Sequence, residues 1–139
     1  MRWYPHIDKG STWTGFDMDA DSLTTVERLI AAWEARDVAA ISACFAADGV
    51  WHNMPYPPIS GRDAISAAIS RFLAGVEHVH FEVRHAGVIA PGVVMNERVD
   101  SFRQRDGREL SIPVTGVFEL RDGLIQVWRD YFDSAVMNS

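Results

Sequence analysis

Between Asp21 and Asp37 the apolar side chains fall at Leu23, Val26, Leu29, Ile30 and Trp33, with Glu27, Arg28, Glu34 and Arg36 between them. This three- and four-residue spacing predicts an amphipathic helix with one buried face. Asp21 or Ser22 is suited to cap its start. Asp37 can cap a second, short helix through Ala39, Ile41, Cys44 and Phe45, which Asp48-Gly49 ends. A third helix is expected from Gly61-Arg62-Asp63 to Gly75, with Ile65, Ala68, Ile69, Phe72 and Leu73 on one face, after a proline-rich loop at Pro55 to Pro58.

Beyond Gly75 the period becomes two. Segments near His78 to Ile89, Val93 to Gln104, Glu109 to Leu120 and Leu124 to Asp133 are rich in Val, Ile, Phe and Thr and read as four strands. Asp106-Gly107 and Asp122-Gly123 fit hairpin turns, because glycine tolerates the positive φ that tight hairpins need, and Ala90-Pro91-Gly92 marks a third connection. A further short strand is expected at Val50 to Asn53. The order α-α-β-α-β-β-β-β implies an α+β fold: a curved, mixed but mostly antiparallel sheet wrapped around three to four helices as a cone-shaped barrel. No repeat or linker marks a second domain, so the expected organisation is an N-terminal arm at residues 1–20 and one cone domain at 21–139.

The strand parity has a chemical consequence. Arg98 and Asp100 share a face with Val94, Asn96 and Phe102, while Glu97 and Val99 point away. In the last strand Leu124, Gln126, Trp128, Asp130 and Phe132 are expected on one face and Ile125, Val127, Arg129 and Tyr131 on the other, which sets Asp130 between two large aromatics. Trp51 and Asn53 share a face of the short strand, with His52 opposite. Three strands therefore offer polar groups to one cavity. Any one of these charge pairs would read as an ordinary surface ion pair. Together they read as a buried site, because a buried arginine needs carboxylates on both sides to offset its desolvation.

Composition narrows the classes. The chain has 139 residues, 47% of them hydrophobic, with a net charge of -6. That is enough for a core without metal or disulfide support, and the acidic balance argues against a nucleic-acid surface. Cys44 is the single cysteine and is read as core. His78 and His80 alternate on a strand with no third ligand at metal spacing, so no metal is assigned. The N-terminal residues lack the apolar run of a signal peptide and no segment approaches a membrane span, so a cytoplasmic location is expected. A sheet face carrying Val99, Ile125, Val127 and Tyr131 is too apolar for water, which predicts a homodimer through that face.

Three segments resemble the limonene-1,2-epoxide hydrolase family within the nuclear-transport-factor-2-like, cystatin-like cone superfamily. They are Trp51-His52-Asn53-Met54-Pro55-Tyr56-Pro57-Pro58 with Gly61-Arg62-Asp63-Ala64; Glu97-Arg98-Val99-Asp100; and Gly116-Val117-Phe118 leading through Asp122-Gly123 to Trp128-Arg129-Asp130-Tyr131-Phe132-Asp133. The resemblance spans roughly residues 21 to 135. It implies an Asp-Arg-Asp site in a mostly apolar pocket: Asp130 as general base to a water that Asn53 helps hold, Asp100 as general acid to the epoxide oxygen, and Arg98 bridging the two carboxyls. Opening would be concerted, need no cofactor, and turn a lipophilic epoxide into a diol. Trp51, Met54, Phe72, Leu73, Trp128 and Phe132 are assigned to the substrate wall, with Val83, Ile112, Val114 and Phe118 as further candidates. The chain departs from the family at Trp51, where a Tyr is usual; an indole N–H cannot take the acceptor role of a hydroxyl. Tyr56 is a conceivable substitute. The alternative reading is a non-hydrolytic member of the superfamily, a small-molecule-binding protein or an isomerase or cyclase.

Overall fold

In the computed structural model, which describes residues 16–138, three helices pack on the concave face of one six-stranded sheet. The elements are α1 (Phe16–Glu34), α2 (Val38–Ala43), β1 (Phe45–Asn53), β2 (Ile59–Ser60), α3 (Arg62–Ala74), β3 (Val76–Ala90), β4 (Val93–Gln104), β5 (Glu109–Arg121), β6 (Leu124–Tyr131) and a closing 3-10 turn (Ser134–Asn138). The sheet order is β2-β1-β6-β5-β4-β3, antiparallel except where β1 runs parallel to β6. This is the mixed, mostly antiparallel α+β cone that the periodicity predicts.

Local chemistry explains most boundaries. Asp37 caps α2, its side chain accepting from the Ala40 N–H at 3.0 Å. Asp122 and Gly123 both take positive φ, 54° and 75°, which lets a two-residue turn join β5 to β6 without splaying them. Register shifts along β3 and at the β5/β6 pair bend the sheet around the helices. The core runs from α1 (Leu29, Trp33) through α3 (Ile65, Ile69) to the inner face of the sheet (Val94, Phe118, Trp128).

The structure departs from expectation in four places. Residues 1–15 of the expected arm lie outside the described residues, and residues 16–20 already belong to α1, so Asp21 and Ser22 sit within the helix rather than at its cap. Phe45 is strand, not helix: the Ile125 N–H bonds to the Cys44 carbonyl at 2.8 Å, and pairing with β6 outweighs the helix preference of the neighbouring alanines. The short β2, added to β1 by Val50–Ser60 and Trp51–Ile59 pairing, was not expected. Ile125 is fully buried in the core instead of on the outer face. Leu120 pairs with Ile125 and Glu119 with Val127, so Gln126 is an extra residue, and this bulge brings Ile125 and Trp128 to the same side.

Candidate active site

Buried polar residues converge on the inner face of β4, β5 and β6. Arg98 is 1% exposed, Asp100 and Asp130 5% each and Asn96 2%. Four of the five guanidinium N–H groups are used. Nε and Nη2 donate to Asp100 Oδ1 and Oδ2 at 2.7 and 3.1 Å, Nη1 donates to Asn96 Oδ1 at 2.8 Å, and Nη2 also donates to Asp130 Oδ2 at 2.5 Å. One nitrogen thus touches an oxygen of each carboxyl. The Arg98 charge also lies 5.3 Å from the Phe81 ring and 5.7 Å from Trp128, where ring faces favour a cation. Trp128 has a second part: its indole N–H donates to Asp130 Oδ1 at 2.6 Å. Both Asp130 oxygens therefore accept from N–H donors, which favours the anion.

Backbone register places these groups. Asn96, Gly116 and Asp130 stand opposite one another on β4, β5 and β6, and Asn53 on β1 is the parallel partner of Asp130. The Met54 N–H bonds the Asp130 carbonyl at 2.9 Å and fixes the end of β1 there. Gly116 is the reason the guanidinium fits. A Cβ at that position would stand 2.5 Å from Arg98 Nη1 and 2.8 Å from both Asn96 Oδ1 and Asp130 Oδ1, so any side chain would occupy the space of the network.

Burial raises the Asp100 carboxyl to about 6 against the opposing pull of Arg98. Burial raises Asp130 as well, again opposed by Arg98 and by the Trp128 N–H. For Arg98, burial works against the charged form, but the two carboxyls more than offset it and the group stays firmly protonated. One cation between two reluctant carboxyls favours a single shared proton, since a second negative charge in this apolar setting has no counter-ion.

Asp100 and Asp130 open onto a cavity of about 260 Å³, with Arg98 behind them. Of the expected residues, Asn53, Trp51, Phe72, Trp128 and Phe132 line it. Ile112 and Val114 do too. The structure does not bring Met54, Leu73, Val83 or Phe118 to the wall. Met54 is 36% exposed just past β1. Leu73 follows Ile65 and Ile69 into the core at four-residue steps, so its neighbour Phe72 is the one turned to the cavity. Val83 lies exposed on β3 beyond Phe81, whose N–H is the one bonded by Glu34 at the end of α1. Phe118 is sealed in the core, stacked on Trp128.

Sequence reasoning missed Trp33, Phe81, Phe102 and Met137 on the wall and Gly116 in the network, and it put Asn96 on the Arg98 face without giving it a role. A glycine in mid-strand opposite a polar residue was the available signal for Gly116. Tyr56, weighed as a substitute hydroxyl, lines the cavity and is 41% exposed. The indole N–H groups of Trp33 and Trp51 are buried without an oxygen or nitrogen acceptor. His80 is engaged elsewhere, its Nδ1 2.7 Å from Glu34. No helix among the described residues is long and apolar enough to cross a membrane.

Comparison with known proteins adds independent findings. The SnoaL-like domain family matches residues 26–128. Epoxide hydrolase EphG of Mycobacterium tuberculosis is 35% identical over 109 residues, covering 78% of this chain and 70% of that protein. The solved structure of a limonene-epoxide-hydrolase-like (LEH-like) epoxide hydrolase from M. tuberculosis superposes with a TM-score of 0.78 at 26% identity, over 87% of this chain and 89% of the other. An NTF2-like protein of unknown function from Burkholderia pseudomallei, at 19% identity and a TM-score of 0.73 over 84% and 94% of the two chains, shares the fold.

Proposed function

Because the chain belongs to the SnoaL-like domain family and is related in sequence to an epoxide hydrolase, we propose that it hydrolyses lipophilic epoxides by a one-step acid–base reaction at Asp100, Arg98 and Asp130. The observation that carries the reading is the single Arg98 nitrogen shared by two buried carboxyls at the floor of an apolar cavity. Asp130, with N–H donors on both oxygens, is the base and takes a proton from water. Asn53, its neighbour across the β1/β6 pair, helps hold that water. Asp100 carries the shared proton and delivers it to the epoxide oxygen as the carbon–oxygen bond breaks. Water oxygen bonds to carbon, and the product is a vicinal diol. Asp130 then holds the proton and Asp100 is ionised. Return of the proton about Arg98 restores the starting state.

Strain in the three-membered ring lets a positioned acid and base suffice. The base must be ionised and the acid protonated, so the rate depends on the singly protonated pair. With Asp100 at about 6, kcat/KM will fall as pH rises beyond that value, approaching tenfold per unit. The test is single-turnover hydrolysis of a panel of lipophilic epoxides in oxygen-18 water across this pH range. Label from solvent in the first-turnover diol, with the expected alkaline decline, supports direct attack by water. First-turnover diol without solvent label would mean a covalent enzyme ester and would overturn the mechanism.

A second reading, a non-hydrolytic binding protein or isomerase, draws on Trp51, which has no hydroxyl to help position water. Failure of the whole panel to give diol would favour it.

We also propose that the chain forms a homodimer through the outer face of the sheet. There Met95 and Tyr131 are 36% and 45% exposed beside half-buried Val99, Val117 and Val127. A gel-filtration mass equal to two chains is expected, and the mass of one chain would sink the idea.

A further inference from the structure

We infer that the preferred substrate carries an aromatic ring directly on the epoxide, and that water bonds to the carbon bearing that ring. The inference rests on the hydrolase reading and adds the substrate class to it. Of the fourteen residues that line the cavity, eight are aromatic. The polar side chains among them are Asn53, Asp100 and Asp130, grouped at the reacting end, and the phenol of Tyr56, which is exposed. Beyond the epoxide, the inner wall thus offers rings and no polar partner.

The rings are arranged in relation to the base. Trp51 and Trp128 are direct partners across the β1/β6 pair, with ring centroids 5.8 Å apart and planes 28° from parallel. Asn53 and Asp130 are the next pair on the same face, two residues further along. The stacked indoles therefore stand one step from the group that activates water. Trp33 continues this cluster, 6.0 Å from Trp51 and stacked on Phe81 at 5.6 Å, and Phe72 meets Phe102 edge-on at 5.1 Å.

Two physical effects follow. An aryl substituent can join these rings in offset or edge-to-face contact, which a saturated ring of the same size cannot. Buried area by itself points the other way, because a cyclohexyl group exposes more apolar surface to water than a phenyl group and gains more on burial. Preference for phenyl would thus report ring geometry rather than hydrophobicity. The second effect concerns charge. As the Asp100 proton moves to the epoxide oxygen and the bond to the ring-bearing carbon breaks with its electron pair on oxygen, positive charge builds on that carbon. The attached ring delocalises it, and the π faces of the wall favour it. Water oxygen bonds to this carbon while its proton passes to Asp130.

The experiment compares phenyloxirane with cyclohexyloxirane as substrates, and the two corresponding diols as ligands by calorimetry. Wild type, Trp51→Phe and Trp51→Leu are used. The phenyl diol should bind about two- to tenfold more tightly than the cyclohexyl diol in wild type. That ratio should persist in Trp51→Phe and fall towards one in Trp51→Leu. Phenyloxirane opened in oxygen-18 water should carry the label on the benzylic carbon. Equal or tighter binding of the cyclohexyl diol by wild type overturns the inference even if Trp51→Leu does not fold, and label on the terminal carbon overturns the site of attack. Phenyl preference in binding with no hydrolysis of any epoxide would support the aryl-selective cavity while refuting the hydrolase reading.

Discussion

Asp130→Asn will lower kcat/KM for epoxide opening by about 10³-fold or more. The substitution does more than remove a base. Asp130 accepts on both oxygens, from Arg98 and from Trp128. An asparagine amide has one accepting oxygen, so its NH₂ must face one of these donors and leave it unsatisfied, at about 1–3 kcal/mol. The change also alters Asp100. With Asp130 gone, Asp100 is the remaining carboxyl on Arg98 and is held as its counter-ion, so it has no proton to give. Base and acid are lost together through one amide. Single-turnover rates at pH 6, with circular dichroism to confirm folding, will decide the matter. A variant within tenfold of wild type would show that Asp130 is not the base.

Arg98→Met is expected to abolish turnover and to destabilise the fold by about 3–5 kcal/mol. Methionine fills much of the volume among Phe81 and Trp128, so the loss is electrostatic rather than a cavity effect. Asp100, Asp130 and Asn96 Oδ1 all lose a donor at once. Both carboxyls are already raised by burial, and without the guanidinium their folded-state pKa values rise further. A carboxyl whose folded pKa exceeds its unfolded value of 3.8 contributes stability that is complete below that value and is lost as pH rises through the folded one. Wild type loses this contribution in parallel up to its own folded values, about 6 for Asp100, so the deficit of the variant should widen as pH passes them and exceed its acid-side value at pH 7. Urea unfolding at pH 4 and pH 7 measures this directly. A deficit under about 1 kcal/mol, or one independent of pH, would mean that the carboxyls do not depend on Arg98.

The site was readable in the sequence to the extent that it depends on strand parity. Arg98 and Asp100 lie two apart on β4, and no local event intervenes, so alternation places both inside. Asp130 follows Trp128 by the same rule. What parity could not supply was the lateral neighbour. Asn96 shares the Arg98 face by the same alternation, whereas Gly116 enters the network through register across three strands, which a single chain does not display. The substrate wall was less legible. Phe72 and Leu73 differ by one residue on α3, and only the direction from which the sheet approaches tells which faces the cavity. Phe45 was misread because its neighbours Ala46 and Ala47 favour helix, and the partner that makes the segment a strand, β6, lies about 80 residues away. Helix α3 was placed almost to the residue, since Gly61 and Gly75 flank it and its apolar face is uninterrupted.

The extra residue at Gln126 separates two demands that one short strand could not otherwise meet. Ile125 has to seal the core beneath Phe45 and Leu120, and Asp130 has to reach the cavity five positions later. Five is an odd interval, and in a regular strand an odd interval points the two side chains to opposite sides. The bulge supplies the missing half-period. The backbone bulge, rather than the half-buried Gln126 side chain, is therefore what keeps Asp130 on the inner side at this spacing. Running the strand regularly through Gln126 with the same number of residues and Ile125 kept in place would turn the carboxyl of Asp130 out of the cavity without altering any functional group.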